Sequence, residues 1–201
     1  PDGNFPTVVY PNPEEEEAMS IAKQKGQELD ADLVMATDPD ADRVGLAVKN
    51  HKGEFQLLNG NQIGSLLTYY VLSCKQDKGE LRDNDYIVKT IVTSNLISDI
   101  GSSFDVKFYE TLTGFKFIGE VITRFLGKEN YLVGGEESYG YLVGDLVRDK
   151  DAVNSCAFIA EMTAYFKSHG KSLFDVLVEL YVKYGFYQEK LISLTKKGKA
   201  G

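Results

Sequence analysis

The chain has 201 residues, enough for one ordinary domain or one and a half small ones, and its 43% hydrophobic and 26% charged residues give the balance of a soluble globular protein. Asp and Glu outnumber Lys and Arg by 30 to 22, for a net charge of -8. That argues against nonspecific nucleic-acid binding, which needs cations against phosphates, but not against a small phosphorylated ligand held by a local basic cluster. No apolar run approaches the about 18 residues of a membrane span, and no basic-then-apolar leader opens the chain, so no membrane partner and a cytoplasmic location are expected.

Pro6, Pro11 and Pro13 hold the first stretch extended. Glu14 to Leu29 reads as a surface helix. Its run of glutamates suits the positive N-terminal end, Ala18, Ile21, Ala22 and Leu29 supply an apolar face, and Gly26 weakens it. The glutamate run is assigned no function. Leu33 to Thr37 predicts a buried strand that runs into an acidic loop, and Val44 to Val48 a second strand. A turn at Asn50 to Gly53 and a third strand to Leu58 follow. Beyond Asn59-Gly60-Asn61 the rhythm changes. Helices are predicted over Ile63–Ser73, Leu96–Phe104 (capped by Ser94 or Asn95), Phe115–Leu126, Ala152–Phe166 and Leu173–Tyr184. Strands are predicted over Tyr86–Thr93, Val106–Tyr109 and Tyr131–Val133. Such alternation predicts an α/β fold with parallel strand pairs. Tyr187 to Leu194 reads as a strand or linker. Cys74 and Cys156, in apolar helix-like stretches, are expected to be buried reduced thiols, with a disulfide as the alternative. His51 and His169 are expected to be solvated. Opening at Pro1 and closing at Lys199-Ala200-Gly201, the chain reads as an excised or trimmed piece.

Asp38-Pro39-Asp40-Ala41-Asp42-Arg43 carries the densest chemistry. Alternating carboxylates in a turning loop converge on one point and repel without a cation between them. All-oxygen ligation suits a hard ion such as magnesium or calcium, at the strand end where α/β folds place ligands. An EF-hand loop is disfavoured, because its sixth and twelfth positions need Gly and Glu and are Arg43 and Lys49 here. A haloacid-dehalogenase-type phosphatase with Asp38 as nucleophile, and a solvated acidic turn, stay open at this point. Two glycine loops follow. Thr111 to Gly119 links a strand to a helix, where Gly114 lets backbone approach a ligand; taken alone it is as well explained as a helix-entry turn. In Gly134-Gly135-Glu136-Glu137-Ser138-Tyr139-Gly140, paired carboxylates between glycines can accept hydrogen bonds from sugar hydroxyls.

Together these segments resemble the α-D-phosphohexomutases, the phosphoglucomutase and phosphomannomutase superfamily, and occur in that family's order. The resemblance implies Mg2+ held by Asp38, Asp40 and Asp42, and Arg43 against the phosphate in transit. It implies sugar recognition by Thr113, Gly114, Phe115 and Lys116, and hydroxyl binding by Glu136 and Ser138, with Glu137 at the family's variable position. Arg148-Asp149-Lys150-Asp151 resembles the Arg-x-Lys-Asp segment of the phosphoglucomutase branch, implying substrate contact by Arg148 and an acid, base or cationic role for Lys150. The implied fold is a repeated phosphohexomutase-type domain, a mixed sheet with helices on its faces, one copy partial and one complete. Residues 1–57 correspond to part of domain 2, 58–188 to domain 3 and 189–201 to a linker. The implied activity interconverts hexose 1- and 6-phosphates, glucose favoured, through a phosphoserine and a bisphosphate. The implied partners are glucose 1-phosphate, glucose 6-phosphate, glucose 1,6-bisphosphate, and domains 1 and 4 of the same chain. The phosphoserine's Ser-His-Asn-Pro segment is absent from these residues, so the expected activity of this piece alone is nil. A non-catalytic sugar-phosphate or magnesium-binding module is the third reading.

Overall fold

The computed structural model describes residues 2–190. Helix α1 (Glu16–Glu28) precedes three strands, β1 (Leu33–Thr37), β2 (Val44–Lys49) and β3 (Phe55–Leu58), which form an antiparallel sheet in that order. Thr37 pairs with Val44, so the acidic loop is the connection between β1 and β2. Strand β2 is buried on both faces, which explains its unbroken apolar run. Ala47 faces α1, packing with Met19, Val34 and Phe55. Val44, Leu46 and Val48 face the opposite way and join the main core. Strand β1 lies at the sheet edge, so only Val34 is buried and the expectation of a fully buried strand is corrected.

The apolar face expected for α1 is corrected in part, since Ala22 does pack against the Met19, Val34 and Phe55 cluster. Ile21 and Leu29 are exposed, and the buried residues are Met19 and Gly26. Gly26 is a packing requirement, since a Cβ there would overlap Val34 and stand 3.1 Å from the Phe55 ring. The helix begins at Glu16, leaving Glu14 outside it and Glu15 at its N-cap.

The rest of the chain runs α2 (Gly60–Asp77), β4 (Asp85–Thr90), α3 (Asn95–Ser103), β5 (Lys107–Thr111), α4 (Phe115–Phe125), β6 (Asn130–Gly135), β7 (Tyr141–Val143), α5 (Ala152–Ser168) and α6 (Leu173–Tyr184). The sheet order is β5-β4-β6-β7, with β5, β4 and β6 parallel and β7 antiparallel to β6. This is the predicted mixed α/β sheet. Strand β7 escaped prediction because three residues are too few to display a period. Helix α2 starts earlier than predicted because Asn59 and Gln62 form a capping box, each side chain bonding the other's backbone N–H at 2.9 Å. Ser94 caps α3 as expected, accepting from the Leu96 N–H at 3.2 Å. Helix α4 covers one sheet face through Phe115, Ile118 and Ile122, while α2 and α3 cover the other.

The main core runs from β2 through α2 to α5 and α6, so the three-stranded sheet is clamped between α1 and the later helices. Cys74 and Cys156 are unpaired and half-buried rather than fully buried, and burial pushes both thiols up. His51 and His169 are exposed, as expected. Residues 187–190 have no regular structure, and the remainder of the predicted strand or linker lies outside the described residues.

Helix α6 opens with a second capping box. Ser172 Oγ accepts from the Asp175 N–H at 3.1 Å, and Asp175 accepts from the Ser172 N–H at 2.8 Å. The hydrogen bonds from Ser172 hold the Asp175 carboxyl below its usual value. A lowered folded-state pKa contributes stability above the unfolded pKa and loses it as pH falls through the folded one. Asp175→Ala is therefore expected to cost about 1 kcal/mol at pH 7, with the gap to the parent chain narrowing as pH falls through the lowered folded-state pKa. Urea unfolding across that pH range checks both statements.

Candidate functional site

The parallel strands β4, β5 and β6 end at Thr90, Thr111 and Gly135 along one edge of the sheet. Both glycine loops and the turn 91–94 emerge at that edge, the usual location of ligand sites in α/β folds. The acidic loop meets them there through two backbone hydrogen bonds. Val44 N donates to the Tyr139 carbonyl at 3.1 Å, and Ala152 N to the Ala41 carbonyl at 3.0 Å.

Within the acidic loop, Asp38 Oδ1 accepts the backbone N–H groups of Asp42 and Arg43 at 3.1 and 3.0 Å. Ala41, at φ +55°, turns the chain back. Asp38, Asp40 and Asp42 each bring one oxygen within 4.8 Å of the others. Burial raises the Asp38 carboxyl above its ordinary value, against the Arg43 N–H, and the charges of Asp40 and Asp42 add to the rise. Asp42 Oδ1 is buried and accepts no hydrogen bond. An all-oxygen set with an orphaned carboxylate oxygen fits a hard divalent cation.

Two cations flank this set. Arg43 Nε lies 3.6 Å from Asp42 Oδ1 and 3.8 Å from Asp38 Oδ2, and an Arg43 terminal nitrogen donates to Glu14 Oε1 at 3.3 Å. Lys150 Nζ lies 3.1 Å from Asp42 Oδ2, 3.2 Å from Asp149 Oδ1 and 5.5 Å from the centre of the Phe115 ring. Its stem runs across Gly140, where any Cβ would collide with it. Burial acts to lower the Lys150 pKa, but the bonds to Asp42 and Asp149 outweigh it and hold the pKa above the usual lysine value. One lysine side chain thus meets all three loops, its ammonium facing Asp42 and the Phe115 ring and its stem crossing Gly140.

The glycine loops are tied together by Glu136, 5% exposed, which accepts from the Gly114 N–H at 2.7 Å. Gly114 has φ +117°, a conformation glycine adopts freely. Ser138 and Tyr139 line a cleft of about 500 Å³ with Glu14, Asn59, Asn61 and Glu137. Phe115 is buried among the α4 core residues and offers Lys150 its ring, whereas Thr113 is exposed. Lys116 and Arg148 fall outside the cleft, lining a shallow groove along α4 with Arg124. The structure therefore brings Asp38, Asp40, Asp42, Arg43, Lys150, Gly114, Phe115, Glu136 and Ser138 to one edge, and does not bring Lys116 or Arg148 into the cleft.

Sequence reasoning passed over three groups here. Glu137 accepts from Thr93 Oγ1 at 2.9 Å and Thr90 Oγ1 at 3.2 Å, anchoring its loop to the end of β4. Lys89, 1% exposed, holds the same turn through the carbonyls of Thr93 and Thr90 at 3.1 and 3.3 Å and pairs with Glu110 of β5 at 2.7 Å. A lysine inside the apolar run Tyr86-Ile87-Val88-Lys89 was the available signal. The third group is Glu14, masked in sequence by the glutamates after it.

Residues 59–184 match the family described as phosphoglucomutase/phosphomannomutase, alpha/beta/alpha domain III, and residues 1–53 match domain II of the same family. The chain belongs to the phosphoglucomutase/phosphomannomutase family. It is 39% identical over its full length to a phosphoglucomutase of Staphylococcus aureus strain N315, and spans 36% of that relative's length. A phosphoglucomutase/phosphomannomutase family protein from Burkholderia thailandensis has the same fold, with a TM-score of 0.68 at 20% identity over 89% of this chain and 35% of the other. An Aspergillus fumigatus N-acetylphosphoglucosamine mutase, solved in complex with GlcNAc-6P and magnesium, aligns with a TM-score of 0.56 at 15% identity over 72% of this chain and 34% of that one. Membership in the phosphoglucomutase/phosphomannomutase family selects among the readings the acidic loop alone left open.

Proposed function

We propose that this chain carries the cation and sugar half of a phosphohexomutase that moves a phosphoryl group between the 1- and 6-positions of a hexose, glucose foremost. The observation that carries the reading is the convergence on Lys150 of the acidic loop, the Thr-Gly loop and the Gly-Glu-x-Ser loop. Asp38, Asp40 and Asp42 would hold Mg2+, which supplies charge neutralisation at the transferring phosphoryl group. The Aspergillus relative's magnesium and sugar phosphate support both the metal and the substrate class.

Arg43 presents its guanidinium beside the carboxylates, where it can bind phosphoryl oxygens. Lys150, its pKa raised by Asp42 and Asp149, keeps its proton at neutral pH, so it acts as a fixed cation near the reacting hydroxyl rather than as a resting base. Glu136 and Ser138 bind sugar hydroxyls from the edge of the sheet. Glu136 has one oxygen engaged by the Gly114 N–H and the other left to accept, so it orients the sugar and the Thr-Gly loop together. Thr113, Lys116 and Arg148 belong to the outer parts of this recognition surface. We take residues 1–57 and 58–188 as the two domain units and 189–201 as a linker, and the location as cytoplasmic. Among the described residues no helix is long and apolar enough to cross a membrane.

We place the phosphoserine donor and the site for the second phosphate in residues beyond these 201, a reading supported by the chain spanning 36% of the relative's length. The chain alone is thus expected to bind sugar phosphate weakly and to turn none over. Amide resonances recorded during titration with glucose 1-phosphate in Mg2+ test this. Shifts at Glu136, Ser138 and Arg43 without formation of glucose 6-phosphate are the expected result, and an unmoved Gly-Glu-x-Ser loop would refute the assignment.

A further inference from the structure

We infer that Glu14 is the positioning residue for the Arg43 guanidinium once the cation is bound; this rests on the metal reading above. Three carboxylates surround Arg43 in the structure: Asp38 at 3.8 Å, Asp42 at 3.6 Å and Glu14 at 3.3 Å. Two of them belong to the cation set, and the third does not. A divalent ion drawing on Asp38 and Asp42 competes for the negative charge those residues share with Arg43. Glu14 is the partner that remains. Its charge then decides whether the guanidinium stays aimed beside the cation or swings into solvent, since a flexible arginine held by nothing gains rotamer entropy on release.

The fold delivers Glu14 to this place by a specific device. Pro13 is buried, and its carbonyl and ring sit in a notch over Gly45, where a Cβ would overlap the carbonyl and stand 2.7 Å from Pro13 Cβ. Gly45 follows Arg43 by two positions, so seating Pro13 there sets the next residue, Glu14, against the arginine. Asn12 Oδ1 accepts from the Glu14 N–H at 3.1 Å and keeps the chain turned. Helix α1 begins only at Glu16, so Glu14 sits outside the exposed helix surface that would otherwise explain a glutamate run. The same carboxylate also lines the cleft that holds Ser138 and Glu137. Glu14 thus stands at the junction of the sugar cleft and the phosphoryl-binding arginine.

An alternative role makes a prediction of opposite sign. If Glu14 merely competed with phosphate for Arg43, removing its charge would tighten anion binding. As a positioning residue, its loss loosens anion binding although one negative charge has gone. The test uses the whole chain and three proteins: the parent, Glu14→Gln and Glu14→Asp. In the parent, the Arg43 side-chain Nε–H resonance is expected to persist in saturating Mg2+. In Glu14→Gln it should broaden or collapse to the solvent-exposed position on adding Mg2+, and Glu14→Asp should restore part of it. Inorganic phosphate in Mg2+ should bind Glu14→Gln about tenfold more weakly than the parent, a difference of about 1.4 kcal/mol. Tighter phosphate binding by Glu14→Gln, or an Arg43 resonance that ignores the substitution, overturns the inference. Backbone amides of Asp38 to Arg43 that fail to respond to Mg2+ in the parent overturn the metal reading itself, and this inference with it. Equal urea midpoints for the three proteins distinguish a positioning effect from loss of fold.

Discussion

Mg2+ is expected to raise the unfolding temperature of this chain, and Asp40→Asn to abolish the rise. Three carboxylates presenting oxygens within 4.8 Å of one another repel in the metal-free fold, and one oxygen of Asp42 is buried without a partner. The unfolded chain has no such cluster, so the ion binds only the native state. At one hundred times its dissociation constant it adds about 2.7 kcal/mol, or roughly 5–10 °C for a chain of this size. Asp40 is the informative position because it is exposed, whereas Asp38 accepts backbone N–H groups and Asp42 holds Lys150. Replacing it removes a like charge without breaking either bond. Metal-free stability should hold or rise by a few tenths of a kcal/mol, while the response to Mg2+ disappears. Calorimetry with and without Mg2+ reads both effects. A full response in Asp40→Asn would put the ion somewhere else.

Gly60→Ala is expected to destabilise the chain by about 2–3 kcal/mol, the cost of overpacking a filled site. Helix propensity alone predicts the reverse, since Ala is favoured over Gly inside a helix by roughly 0.5–1 kcal/mol. A Cβ at Gly60 would overlap the Glu137 carbonyl and stand 3.1 Å from Tyr139 N. Both atoms are backbone, so no side-chain rotation relieves the contact. The Gly60 carbonyl is also fixed, accepting from Tyr141 Oη at 2.7 Å. The loop 136–140 has to yield, and with it the Glu137 anchor to Thr90 and Thr93 and the Tyr139 bond to Val44. Urea unfolding gives the sign, and faster hydrogen exchange at Val44 N would report the detached loop. A neutral or stabilising Gly60→Ala would mean that the loop has room the structure does not provide.

Much of this architecture is legible in the sequence for local reasons. A capping serine, a period-2 or period-3.6 apolar pattern and a glycine after a strand each act over a few residues. The α/β alternation, α4 at Phe115 and α6 at Leu173–Tyr184 could therefore be read directly. Asp38, Asp40 and Asp42 were legible for the same reason, because a single turn brings together carboxylates that are neighbours in sequence.

Contacts across long sequence separations were decided only in three dimensions. Ile21 and Leu29 looked like a helix face, but the partner surface of Val34 and Phe55 selected Met19 and Gly26 instead. Cys74 and Cys156 looked buried from their apolar neighbours, yet helix packing left them half-open. That Lys116 and Arg148 share a groove beside α4, outside the cleft, is likewise a matter of packing.

The acidic loop gives the same division. By itself the sequence determined a carboxylate triad followed by an arginine, because those residues are adjacent and one hairpin connection suffices to converge them. Tertiary structure alone brought Lys150 to Asp42 and Glu14 to Arg43, across separations that no local period spans. Those two contacts exist because Gly140 and Gly45 leave space for a lysine stem and a proline, and only the packed fold decides which chain fills such a space.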